Sequence, residues 1–136
     1  MRNEPSVLIF EDEKMVERLI RLLFETAGLQ PVRSFTGLSE FLAVTESLVY
    51  SNVCMVVCDY DLAGSTATEV IQHLINHCFT PQELATIHFI VSSGSGNPEE
   101  IAQINQWLRE KGSKLTFLPK PGFVPPLSGI IESMRR

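Results

Sequence analysis

Four apolar runs in this sequence each end in polar residues of kinds that do chemistry. Val7-Leu8-Ile9-Phe10 stops at Glu11-Asp12-Glu13, and Val53-Cys54-Met55-Val56-Val57-Cys58 stops at Asp59-Tyr60-Asp61. Ile87 to Val91 is followed by Ser92-Ser93, and Leu115 to Leu118 by Pro119-Lys120-Pro121. Gathered in one place, the carboxylates of Glu11, Asp12 and Asp59 repel one another, and at least one resists ionisation. Lys120 offsets only one of them. A hard divalent cation with oxygen ligands completes the balance, and Mg2+ takes one or two carboxylates together with waters and phosphate oxygens. A carboxylate beside such a metal can act as a nucleophile on a phosphoryl donor, giving an acyl phosphate. That transfer needs in-line positioning and cationic neutralisation above all. Lys120 and the metal would supply the cations, and a serine hydroxyl at the fourth run would donate to a phosphoryl oxygen.

The elements between these runs explain how they meet. Val16, Leu19, Ile20, Leu23 and Phe24 recur at helical spacing and Gly28 stops them. Pro31 to Phe35 is a short extended piece, and a weaker helical pattern follows through Leu38, Phe41, Leu42 and Leu48. The continuous β-branched run Val53 to Cys58 is that of a strand buried on both faces. Thr66-Ala67-Thr68-Glu69 is a capping box, opening a helix with Val70, Ile71, Leu74, Ile75 and Cys78 on one stripe. Thr80-Pro81-Gln82-Glu83 opens a second, short one. Asn97-Pro98-Glu99-Glu100 opens a helix buried through Ile101, Ile104 and Leu108 and ended by Gly112. A last helix begins near Pro125-Pro126. Strands alternating with helices predict an α/β fold, a five-stranded parallel sheet covered on both sides. In such a sheet every carboxyl end points to one edge, where ligands bind at the reversal of strand order. The four polar tips therefore converge.

With 136 residues, no repeat and no linker, the chain reads as one domain over 1–136. Lys plus Arg is 11 against 16 for Asp plus Glu, a formal charge of −5. That balance argues against direct nucleic-acid binding and against an anionic membrane surface. No apolar run approaches the roughly 20 residues that cross a bilayer, and no signal segment follows Met1. A soluble, cytoplasmic protein is expected. Cys54 and Cys58, placed on one strand face, would stand roughly 13 Å apart, beyond the reach of a disulfide. Cys78 stands alone, so reduced thiols are expected. His73 and His77 flank the buried stripe of their helix and should face water, with no third metal ligand in view. Trp107 reads as packing or a partner contact.

Together these four motifs, in this order and spacing, resemble the receiver domain of two-component response regulators, of the single-domain, chemotaxis-regulator-like kind, over nearly the whole chain. The resemblance implies a flavodoxin-like, doubly wound sheet of strand order 2-1-3-4-5 with helices on both faces. It implies that Asp59 is the phosphoacceptor and that Asp12 binds Mg2+ directly, with Glu11 acting through water. The backbone carbonyl of Asp61 would be the remaining protein ligand. Lys120, oriented by the Lys120-Pro121 bond, would pair with the phosphoryl group. Ser93 takes the hydroxyl position because Gly94 fills the small position after it; Ser92 is the rival. Phe117, three residues before the lysine, takes the switch position, its ring swinging inward when Ser93 moves toward the phosphoryl group. Asp61 and Ser95 flank the route by which hydrolytic water would arrive. The implied partners are a sensor histidine kinase or a histidine phosphotransfer protein, and a downstream protein target. The chain departs from the pattern at Ala63, where proline is common, and at Ala67, where glycine is common. The stretch from Asp59 to Ser93 is also long, through Thr80 to Ala85.

Two other functions fit parts of the pattern. Asp59-Tyr60-Asp61 is also the Asp-x-Asp of a haloacid-dehalogenase-like phosphatase, but that family places its nucleophile strand first and its metal-binding acids last. A pseudo-receiver would keep the fold as a scaffold without phosphorylation. Ser92-Ser93-Gly94-Ser95-Gly96 lacks the lysine and spacing of a phosphate-binding loop. With no output domain expected after Arg136, the leading expectation is a switch, not an enzyme, acting through partner proteins, whether standalone or part of a longer chain.

Overall fold

The computed structural model describes residues 4–94, 97–120 and 122–134. Five strands make the sheet: β1 (Val7–Phe10), β2 (Val32–Phe35), β3 (Met55–Asp59), β4 (His88–Ser93) and β5 (Lys114–Pro119). They are parallel throughout, as the patterning predicts, and lie in the order β2-β1-β3-β4-β5 that the resemblance implies. β1 is apolar at every position and wholly buried, the signature of a strand covered on both faces.

Strand alternation sorts the sheet into two cores. Leu8, Phe10, Val56, Cys58, Phe89 and Val91 point into one. It is closed by α2 (Leu38–Leu42), α3 (Ala67–His73) and α5 (Pro98–Glu110) through Phe41, Val70, Ile71, Ile104 and Leu108. Val7, Ile9, Met55, Val57 and Ile90 point into the other, closed by α1 (Lys14–Thr26) and α6 (Val124–Met134) through Ile20, Phe24, Leu127 and Ile131. Phe10, Phe35 and Phe41 meet with ring centroids 5.1 to 5.4 Å apart, partly edge-on, as aromatic quadrupoles prefer.

Caps act where the sequence places them. Thr66 and Glu69 form the capping box of α3, and Asn97 accepts from the Glu99 and Glu100 amides at 2.9 and 3.4 Å. A second box, Thr80 with Glu83, opens α4 (Pro81–Leu84). This short helix precedes β4, so it lies at the end of the sheet opposite the polar tips. Ser113, ahead of β5, donates its hydroxyl to the Leu84 carbonyl there.

Some local expectations give way to packing. The pattern from Leu38 to Leu48 is not one helix: α2 stops at Leu42, and a 3-10 turn over Thr45–Ser47 follows. Leu19 is 40% exposed because the buried stripe of α1 is centred on Ile20 and Phe24, one residue and about 100° away. After His73 the chain widens into a π-helical turn, Leu74–Cys78, in which Leu74 is buried and Ile75 and Cys78 are partly buried against the same core. Cys54 precedes the ladder of β3, so alternation does not reach it. Its thiol donates to the Ser6 carbonyl at 3.4 Å and packs on the α1–α6 side, whereas Cys58 lies on the other. His73 does not simply face water either; its ring stands edge-on to Phe41 and 4.8 Å from that of His77. The cysteines are all free, and no described helix is long and apolar enough to cross a membrane.

Candidate functional site

Adjacent parallel strands bring their tips to one edge, and each candidate residue sits at or just past a tip. Glu11 follows β1, its amide bonded to the Phe35 carbonyl at 2.9 Å. Asp59 is the last residue of β3, Ser92 and Ser93 end β4, and Lys120 follows β5. The Lys120 amide donates to the Ser93 carbonyl at 2.9 Å, which ties the last two tips together. One carboxylate oxygen from each of Glu11, Asp12 and Asp59 lies within 4.8 Å of the others. Lys120 Nζ stands 2.9 Å from Glu11 Oε1 and 3.4 Å from Asp59 Oδ2. The second Glu11 oxygen accepts from the Glu13 amide at 3.1 Å. Glu11 is buried, Asp12 exposed and Asp59 between the two.

Charge at this edge is unbalanced. Burial, reinforced by the Glu11 charge and opposed by Lys120, pushes the Asp59 carboxyl up to about 6. Burial works against the Lys120 ammonium, yet the hydrogen bond and charge of Glu11, with those of Asp59, hold it above the usual lysine range. Three oxygen-donor acids facing one ammonium form a donor set that fits a hard cation such as Mg2+ and suits soft metals poorly.

The two serines separate by strand alternation. Ser92 opposes Asp59 in the ladder and shares its face, while Ser93 points to the other. Val91 opposes Phe117 and Ser93 opposes Pro119, so Ser93 and Phe117 share a face. Both line a groove of ≈ 620 Å³ between β5 and α5, with Gly94, Pro98 and Ile101 among its walls. Phe117 is 36% exposed there. The Ser92 hydroxyl is buried and has no hydrogen-bond partner among the described residues. Asp61 is exposed and opens a two-residue ladder, Asp61–Leu62 against Ser65–Thr66, where sequence patterning indicates only loop. Ser95 and Pro121 lie outside the described residues, and with them the expectations placed on Ser95 and on the Lys120-Pro121 bond.

Sequence reasoning missed two contacts around this edge. The Tyr60 phenol, next to the candidate acceptor, donates to Glu100 Oε2 in the first turn of α5, and Thr68 of α3 donates to Glu100 Oε1 at 3.4 Å. The patterning marks Glu100 only as an acid favoured by the helix dipole. Gly37, ahead of α2, lies against the Ala63 carbonyl so closely that a Cβ would stand 2.6 Å from its oxygen. Ser65 Oγ accepts from the Leu38 amide at 3.2 Å beside it. No sequence motif signals this docking of the 61–66 ladder on α2.

The sequence matches no family model and no curated protein. Solved structures do match. The response regulator receiver protein from Pseudomonas putida superposes with a TM-score of 0.71 at 17% identity, covering 98% of this chain and 99% of that one. The phosphorylated cyanobacterial phytochrome response regulator RcpA gives 0.64 at 17% identity, over 98% and 91% of the two chains. The receiver domain from the hybrid histidine kinase CckA gives 0.65 at 20% identity, over 96% and 98%. The chain has the receiver-domain fold.

Proposed function

We propose that the chain is a phosphoacceptor switch of two-component type, with Asp59 as the acceptor. The observation that carries this reading is the meeting of Asp59, Lys120 and two further carboxylates at the carboxyl ends of adjacent strands. The donor would be the phosphohistidine of a sensor histidine kinase or of a histidine phosphotransfer protein. An Asp59 oxygen attacks phosphorus, and the P–N bond breaks with its electron pair passing to the imidazole of the donor. With its carboxyl at about 6, Asp59 is largely ionised at neutral pH and available as the nucleophile.

Asp12, Asp59 and the Asp61 backbone carbonyl would hold Mg2+, with Glu11 acting through water. The ion supplies neutralisation of phosphoryl oxygens, which a transfer with a loose transition state requires. Lys120 gives up Glu11 to meet another phosphoryl oxygen. Ser92, which shares the face of Asp59, donates its hydroxyl to a third, in place of Ser93, whose side chain points to the other face. Phe117, on the other face with Ser93, lines the groove offered to a downstream protein, and its ring turns inward as the end of β4 shifts toward the phosphoryl group.

Incubation with Mg2+ and acetyl phosphate, read by intact-protein mass spectrometry, tests the reading. A single stoichiometric phosphoryl adduct, abolished in Asp59→Asn, is expected. No adduct and no binding of beryllofluoride would leave a scaffold. Sustained turnover of a phosphomonoester would instead indicate a phosphatase.

A further inference from the structure

His73 closes α3, and His77 lies four residues on, within the π-helical turn Leu74–Cys78. Residues at this spacing are neighbours on a helix surface, and π turns inside helices are rare and frequent at functional sites. The two imidazole rings stand with centroids 4.8 Å apart and planes 39° from parallel. Two imidazoles bound side by side to one ion, with metal–nitrogen bonds of about 2.1 Å, have centroids about 5 Å apart. The pair already has the spacing of chelation. His73 is half-buried with its ring edge-on to Phe41, so the core fixes its direction, and His77 is exposed. Neither ring has a hydrogen bond to protein among the described residues. Burial, helped by the His77 charge, pushes the His73 imidazole below its ordinary value, which leaves a nitrogen lone pair available at neutral pH. Two imidazoles in contact repel when charged, whereas one ion taking both lone pairs turns the contact into an attraction.

We propose that His73 and His77 form a two-imidazole site for a late first-row divalent cation of the Ni2+, Cu2+ and Zn2+ class. The site does not depend on the acceptor reading of Asp59. Nitrogen donors suit these ions and Mg2+ prefers oxygen, so the pair is chemically separate from the carboxylates at the strand tips. Among the described residues no third acid, histidine or thiol gathers with the two rings into a cluster. Cys78, next in the chain, has its sulfur 3.8 Å from the Thr45 hydroxyl. The imidazoles therefore fill two positions around the ion and water the rest, which leaves the site open to a further ligand from outside. Once one imidazole has bound, the second binds intramolecularly, and this gives the pair its advantage over a single histidine. The ion would bridge α3 to the π turn and stabilise the folded chain by mass action.

Isothermal titration calorimetry of the full chain with Ni2+, in millimolar Mg2+ to occupy the carboxylate edge, tests the site. One equivalent should bind, with paramagnetic broadening in NMR strongest at the His73 and His77 ring protons. His73→Gln and His77→Gln should each weaken binding about a hundredfold, the lower end of what joining two binding groups confers. Cys78→Ser should bind as the parent protein does. No binding by the parent protein at millimolar Ni2+ overturns the proposal. So does binding that both glutamine variants retain, or that Cys78→Ser loses while they keep it. Should a glutamine variant not fold, the broadening in the parent protein decides: broadening elsewhere, with the two rings unaffected, places the ion at another site and overturns the proposal.

Discussion

Lys120 bonds Glu11 at 2.9 Å while standing 3.4 Å from Asp59, so its ammonium serves a buried acid before it serves Asp59. Removing it leaves the Glu11 carboxylate, 1% exposed, without its cation. Lys120→Met should therefore destabilise the fold by about 3 kcal/mol in denaturant titration, the lower end for breaking a buried ion pair. Millimolar Mg2+ should recover much of that loss by taking over the neutralisation; equal stability of the variant and the parent protein would refute the buried-pair account.

The raised Asp59 carboxyl gives stability a pH dependence of definite sign. Asp59 sits at about 6 folded against 3.8 ordinarily, so between those values the folded chain holds a proton that the unfolded chain releases. Its contribution is complete below the ordinary value and is lost as pH rises through about 6, a change of about 2 kcal/mol once solvent screening is allowed for. Mg2+ relieves the repulsion only when the acid is ionised. Its upward shift of the melting temperature should thus be larger at neutral pH than near pH 5, and a shift independent of pH would contradict the assignment.

Tyr60 and Glu100 join the loop after Asp59 to the first turn of α5. Tyr60→Phe removes the phenol hydrogen bond and should cost about 1 kcal/mol. Amide hydrogen exchange should quicken about fivefold in the first turn of α5 while the strands keep their protection. A double-mutant cycle with Glu100→Gln isolates the pair, and additive losses would show that the two residues are not coupled.

Gly37 admits the Ala63 carbonyl because it has no side chain. Gly37→Ala should cost about 1–3 kcal/mol, since backbone on both sides must move. Chemical shifts should change across the 61–66 ladder and the start of α2 and little elsewhere; an alanine variant of unchanged stability and shifts would mean that the approach is looser than 2.6 Å.

The parts of the fold written in one-dimensional patterns were legible before the structure. Buried parallel strands carry continuous apolar runs, and the capping boxes at Thr66 and Thr80 mark helix starts through local hydrogen bonds. The acids at strand tips stand out because such strands otherwise avoid charge. What escaped was the tertiary detail. Leu19 matches a helical repeat yet is turned outward, since only the packed sheet decides which part of an apolar arc is covered. The π turn at Leu74–Cys78 has no propensity signal. Tyr60 and Glu100 are 40 residues apart, and nothing local links them. The separate directions of Ser92 and Ser93 depend on strand register, which neighbouring serines in a sequence do not reveal.

The short helix α4, with its capping box and the Ser113–Leu84 bond, closes the amino-terminal rim of the sheet. β4 runs six residues from there to the serines, which places that rim about 20 Å from the candidate site. This rim and the candidate site thus occupy opposite poles of the molecule. A dye, a tether to a surface or an inserted reporter domain at 80–85 would leave the chemical pole untouched, so this rim is the natural handle for single-molecule or biosensor work.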